Sequence, residues 1–290
     1  DGDTIRGQRL DFSQKFLPDG LSLAPRLRLP HEGERRLLSR IQGRTYANMA
    51  GLVEWFIRAR AVPADGGERV GARGALAAPV PPTGGEREHG ELLRRLESMI
   101  ACGMRQGYAF GLHGSGIASS LLGRSPWAVM ALTCHVEMLA QAHARLGVEP
   151  DPALSPLFRD VLAYHGREAS RNAILDELLW RREHAKLTPA QRDAAVDDLI
   201  ALFDRLDRML RGQARSDASY FAVACGRTLR DEECAEVDAH VLAAYRWQYI
   251  VSGAQQPRFC DILQDLVTPS QLRRIGGALS PLVGATRWAS

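Results

Sequence analysis

PWAVMALTCHVEMLAQAHARL, residues 126–146, decides the fold. Apolar residues fill it almost without interruption, and Ser125-Pro126 at its head is a helix start, a cap followed by a proline in the first turn. Hydrophobicity that nearly continuous predicts a helix buried on all sides, which needs partners around it. Working outward, Leu37, Leu38, Ile41, Tyr46, Met49, Leu52, Val53, Phe56 and Ile57 recur mostly at three- and four-residue steps. Leu92, Leu93, Leu96, Met99 and Ile100 do the same over 86–104, and a stripe from Leu157 to Leu179 predicts a long helix over about 155–184. Thr188-Pro189 opens another helix, read to about Leu210; a further one spans Asp231 to about Ser252, and a short one starts near Ser270. Strand-like alternation does not persist anywhere outside loops. The expected class is therefore all-α. Residues 1–34 read as an irregular arm and 35–290 as one helical domain, with a core bundle at 35–184 and accessory helices over 188–290. The Gly- and Pro-rich segment 62–85 reads as loop.

Composition agrees with a globular chain: 290 residues, 45% hydrophobic and 24% charged. Lys plus Arg is 37 against 34 for Asp plus Glu, a net charge of +3, which gives no electrostatic footprint for nucleic acid. No apolar run reaches the length of a membrane span. The start, DGDTIRGQRLDF, has neither the basic head nor the apolar stretch of a signal peptide and lacks an initiator Met, so a trimmed cytoplasmic protein is the expectation. The cysteines Cys102, Cys134, Cys225, Cys234 and Cys260 are scattered with no Cys-x-x-Cys pair, and are expected as reduced, packed thiols. GLHGSG at 111–116 lacks the lysine and the preceding strand of a phosphate loop. Trp55, Trp127, Trp180, Tyr245, Trp247 and Tyr249 are expected as core.

The chemistry lies where ionisable residues fall inside apolar helices. Glu54 sits in MAGLVEWFI and Glu137 in ALTCHVEML, and a carboxylate in such surroundings needs a partner. Its alternative is the wet edge of an amphipathic helix. Glu86 and His89, three apart, share one helix face, an arrangement able to ligate one metal ion and equally at home on a solvated face. His135, two residues from Glu137, must point elsewhere. On the next long helix His165 and Asn172 share a face with Ala169 between them, while Glu168 points about 100° away from 169. If adjacent, Glu137 and His165 would form a carboxylate–imidazole dyad able to move a proton on a bound molecule.

Glu on one helix, Glu-x-x-His on the next, Glu on the third and His on the fourth is the order of a ferritin-like dinuclear bundle. The chain resembles the ferritin-like di-iron oxygenases, and within them the arylamine (p-aminobenzoate-type) N-oxygenase branch, whose fourth helix carries His-x-x-x-Glu-x-x-His. The gaps suit that branch: 32 residues from Glu54 to Glu86, 48 from His89 to Glu137 and 28 from Glu137 to His165. The resemblance covers roughly 35–184 and implies a ferritin-like four-helix bundle with additional C-terminal helices. Its implied metal ligands are Glu54, Glu86, His89, Glu137 and His165. Ala169 and Asn172 occupy the positions of the family's bridging Glu and last His, and an amide is a poor substitute for imidazole at iron. The expected cofactor is therefore none or one Fe, not a full di-iron centre. The expected function is a small-molecule tailoring enzyme of specialised, natural-product metabolism, with Glu137 and His165 catalytic and no dinuclear centre. The alternatives are a working non-haem iron oxygenase acting on an amine, and a non-catalytic relative that binds a ligand or partner. The expected partner is a small-molecule substrate, with no nucleic acid and no membrane, and bundles of this kind often pair as homodimers.

Overall fold

A computed structural model of the chain describes residues 5, 7–28, 31–61, 84–112, 121 and 123–287, the side chains of 55–61, 84–89 and 287 excepted. Eight long helices follow one another among these residues. They are α1 (Glu32–Ala61), α2 (Gly84–Gly103), α3 (Pro126–His143), α4 (Pro156–Lys186), α5 (Pro189–Ala224), α6 (Asp231–Arg246), α7 (Pro257–Leu266) and α8 (Pro269–Arg287). Extended pairing among the described residues is limited to the isolated bridges Ile5–Gln8 and Lys15–Leu154, so the fold is all-α. No helix among them is long and apolar enough to cross a membrane.

The helix read from 126–146 lies at the centre. Ser125 Oγ accepts from the Ala128 N–H at 3.2 Å and Pro126 occupies the first turn, so the start is capped as the sequence dictates. Fourteen of the 18 residues of α3 are buried, which leaves it no solvent face. α4 packs along one side of α3, α5 crosses another, and α1 pairs with α2. α6 lies along α5, and α8 touches both. An aromatic layer ties α3 to its neighbours: Trp127 meets Trp180 edge-on at 5.2 Å, Trp180 stacks on Phe259 at 5.8 Å, and His135 sits between Phe259 and Phe203.

Two π-helical turns interrupt the helices, Ala144–Val148 after α3 and Trp247–Val251 after α6. Periodicity arguments assume a constant 3.6 residues per turn and do not see such insertions. α5 runs to Ala224, well past the expected Leu210. Its buried stripe continues through Ala214, Asp217, Ala218 and Phe221, and the carboxylate of Asp217 on that stripe hides its continuity. The sequence reading does not anticipate α7; Pro257 opens it, and Phe259, Ile262 and Leu263 face inward. The N-terminal arm has little regular structure, a single turn at Asp19–Ser22 and a 3-10 turn at Ala24–Arg26, yet it is firmly seated. Phe16 stacks on Phe158 at 5.1 Å, Lys15 Nζ bridges Asp151 (2.8 Å) and Asp19 (3.1 Å), and the Ser155 N–H donates to Lys15 O.

The π-turn after α3 packs tightly on α4 at Gly166, where an added Cβ would lie 2.1 Å from Cβ of Ala144. Gly166→Ala is therefore expected to destabilise the protein by about 1–3 kcal/mol through overpacking, although alanine alone favours a helix by about 1 kcal/mol. Urea unfolding checks this: in an Ala144→Gly background the same change should be neutral or stabilising, and an equal loss in both backgrounds would refute the close-contact explanation.

Candidate functional site

Beside α3 lies a cavity of about 130 Å³ lined by residues from several elements. α3 contributes Val129, Leu132, Thr133, Val136, Glu137 and Ala140, a run at three- and four-residue steps that forms one helix face. α1 faces it with Tyr46, Met49, Ala50 and Val53, and α5 with Leu202, Arg205, Leu206 and Met209. His165 of α4 and Tyr249 of the second π-turn complete the wall. Arg205 is exposed and stands at the rim.

The sequence-predicted residues separate into those brought together here and those not. Glu137, 1% exposed, and His165 line the same cavity. Glu54, 2% exposed, lies behind His165 with its Oε1 at 3.7 Å from Nδ1. That separation is a charge contact, longer than a hydrogen bond. Asn172 Nδ2 donates to Glu137 Oε1 at 3.3 Å. Ala169 is buried in a small apolar cluster with Leu139 and Ala140, against which Val136 packs. Glu168 is paired instead with Arg171 at 2.9 Å. The side chains of Glu86 and His89 lie outside the described residues, as does most of 111–116. His135 points away from Glu137, as their spacing requires. Its Nε2–H donates to the Ile250 carbonyl at 3.0 Å, and burial lowers its pKa to about 4.

A directional chain of hydrogen bonds ends at the cavity wall. Ser252 Oγ–H donates to the Gln248 carbonyl at 3.1 Å, so Ser252 Oγ accepts from His143 Nε2 at 2.9 Å. His143 Nδ1 is then an acceptor, and the Tyr46 hydroxyl donates to it at 3.0 Å. Burial, with the neighbouring imidazoles His135 and His165, pushes the His143 pKa down to about 3, which keeps that ring neutral and this one tautomer in place. Tyr46, Tyr249 and His143 are not among the sequence candidates, because a phenol or imidazole on a helical stripe reads as core.

A second buried polar cluster borders the same helices. Asp217 accepts from Thr45 Oγ1 at 2.6 Å, from Gln213 Nε2 at 2.9 Å and from the Tyr245 hydroxyl. Gln213 also holds the segment after α2, accepting from the Gly111 N–H at 2.9 Å and donating to Ala109 O at 3.2 Å. Desolvation raises the Asp217 pKa to about 7 despite these donors. Its one signal in the sequence is a carboxylate on an apolar stripe, in a stretch that reads as lying beyond the end of the helix.

No known protein family, curated protein or solved structure matches the chain.

Asp217 sets a pH dependence. Its folded pKa of about 7 lies above the ordinary 3.8, so between these values the folded protein holds more protons than the unfolded chain. The stabilisation from this protonation is complete below the unfolded value and is lost as pH rises through about 7. The unfolding free energy of wild type relative to Asp217→Asn is expected to fall between about pH 5 and about pH 8, with a slope approaching 1.4 kcal/mol per unit at its steepest. The amide introduced by this change faces the Gln213 amide, a constant cost that cancels from the slope. Urea titrations at the two pH values check it, and a flat difference refutes it.

Proposed function

We propose that the chain takes a compact, largely apolar molecule into this cavity and moves a proton on it, with Glu137 and His165 as the acid–base pair. The observation that carries this is the convergence of a buried carboxylate and a buried imidazole on one apolar cavity. Its 130 Å³ compares with roughly 150 Å³ for an apolar protein cavity that takes up benzene, which limits the buried part of the ligand to about one six-membered ring. Glu54 acts through His165 as a positioning residue, as the third member of an acid–base array does. Desolvation by the surrounding Val, Leu and Met side chains strengthens each charge–dipole contact inside.

We read α1 to α4 as a ferritin-like bundle, in keeping with the resemblance to the di-iron N-oxygenases. The donor set does not fit a dinuclear metal centre. At the position of a bridging Glu, Ala169 packs against Leu139 and Ala140, and at the position of a last His, Asn172 gives its N–H to Glu137. An N–H donor at that carboxylate stabilises its charge by hydrogen bonding, where an imidazole ligand would have contributed a lone pair to iron. No step is routed through a metal.

Benzene and toluene are expected to raise the melting temperature, and Val136→Phe, which fills the cavity, to abolish that shift. With a substrate identified from the single-ring compounds that bind, turnover should persist in EDTA, and Glu137→Gln should lower kcat by about 10²–10⁴-fold, the range for loss of a general acid–base group. Turnover that requires added Fe²⁺ and O₂ would return the chain to the amine oxygenases. Binding with no turnover would make it a ligand-binding relative.

A further inference from the structure

Three hydroxyl-bearing residues are among those that line the cavity, Tyr46, Thr133 and Tyr249, and their hydrogens have different fates. The Thr133 hydroxyl donates to the Val129 carbonyl at 2.8 Å within its own helix. The Tyr46 hydroxyl donates to His143 Nδ1, held there by the chain through Ser252 to the Gln248 carbonyl. The Tyr249 hydroxyl has no hydrogen-bond partner among the described residues, although the residue is only 7% exposed. Buried hydroxyls are almost always paired, and one that is not calls for an explanation, a role in function among them.

The backbone around Tyr249 is fixed, so the phenol cannot easily turn aside to find a partner. It sits inside the π-turn Trp247–Val251, a type of helix insertion common at functional sites. Trp247 Nε1 and Gln248 Nε2 donate to Gly20 O and Leu21 O of the arm, and the Ile250 carbonyl accepts from His135. The Tyr249 ring lies 6.0 Å from that of Tyr46 and 5.9 Å from that of Tyr245. Burial, with Tyr46, Tyr108 and Asp217 nearby, raises its pKa well above the ordinary 10, which keeps the phenol a neutral O–H donor.

We infer that Tyr249 is a specificity-determining residue that donates its hydroxyl hydrogen to an acceptor oxygen on the ligand, so that the cavity selects compact neutral molecules bearing such an oxygen, a ring ketone being the simplest. This rests on the cavity being the binding site, and adds the chemical class of what enters. In the bound state the ketone oxygen accepts from Tyr249 while the ring fills the space between Val136, Leu206 and Met209.

Cyclohexanone and methylenecyclohexane have nearly the same shape and differ at the acceptor oxygen, so their dissociation constants, measured by calorimetry on the full chain and on Tyr249→Phe, test the inference. The variant should weaken cyclohexanone about tenfold, as expected for a buried donor that loses its partner, and leave methylenecyclohexane within about twofold. The unliganded variant should melt at a higher temperature than wild type, because it no longer buries an unpaired hydroxyl. If both compounds bind and the variant treats them alike, the role of Tyr249 is overturned while the cavity stands as a binding site. If neither compound binds to wild type, the cavity reading fails and the inference with it. A lower melting temperature for Tyr249→Phe would show that the hydroxyl has a partner in the free protein, and would also overturn it.

Discussion

The burial of α3 on every side is the constraint on which the rest depends. A helix with an exposed face can turn its polar residues to water, but α3 buries 14 of its 18 residues, and Thr133, His135, Glu137 and His143 are among them. Each must then find its partner inside the protein, since an unpaired buried polar group costs several kcal/mol. The partners come from four directions. Thr133 uses its own helix, His135 takes the Ile250 carbonyl, Glu137 takes the Asn172 amide, and His143 joins Tyr46 to Ser252. The elements that surround α3 are thus placed by polar satisfaction as well as by apolar packing. The π-turn at Trp247–Val251 supplies two of these contacts from one short segment, through Ile250 and, just beyond the turn, Ser252.

That network also sorts rigid from available chemistry. The His143 chain runs in one direction from end to end and leaves no proton to exchange, because each donor already has a committed acceptor. With a pKa of about 3, the ring stays neutral through the physiological range. Glu137 and His165 stand differently: both reach the cavity wall, and a ligand there can meet them. The same helix therefore carries one imidazole locked into a hydrogen-bond chain and one carboxylate at the cavity wall. The difference comes from which face of α3 each occupies.

The helical class is legible in the sequence because the signals that set it are local and strong. Ser125-Pro126 and Thr188-Pro189 cap the helices they are expected to cap, and Thr188 with Gln191 forms a reciprocal capping box. The places of Glu54 and Glu137 in apolar surroundings are legible for the same reason, since a carboxylate within a hydrophobic stripe stands out. The illegible part comes from contacts between distant segments. Asp217 meets Thr45 across the fold, and Trp247 meets Gly20 of the arm, pairings that no spacing along one helix encodes. Each π-turn shifts the helical register of the residues beyond it, and Tyr249, inside the second one, is core as expected and lines the cavity as well. An uncommitted hydroxyl is a property of a whole neighbourhood and has no signature in one residue.

Ala169 lies in a closely packed seam between α3 and α4. Gly166, Ala169 and Ala173 succeed one another along α4, all buried, and they face Ala140, Ala144, Leu139 and Cys134 of α3 and the turn after it. Small residues at three- and four-residue steps let two helices approach closely, and here the approach is tight enough that even a Cβ at Gly166 would collide. A glutamate at 169 would have to enter that same seam, three residues along. A larger side chain there would press on Leu139 and Ala140, which pack against Ala169, and a close-packed interior transmits such strain. With α1 to α4 read as a ferritin-like bundle, close packing between α3 and α4 and a bridged dinuclear centre are alternative uses of one interface. In this chain the interface is closely packed, and Glu137 and His165 line the cavity.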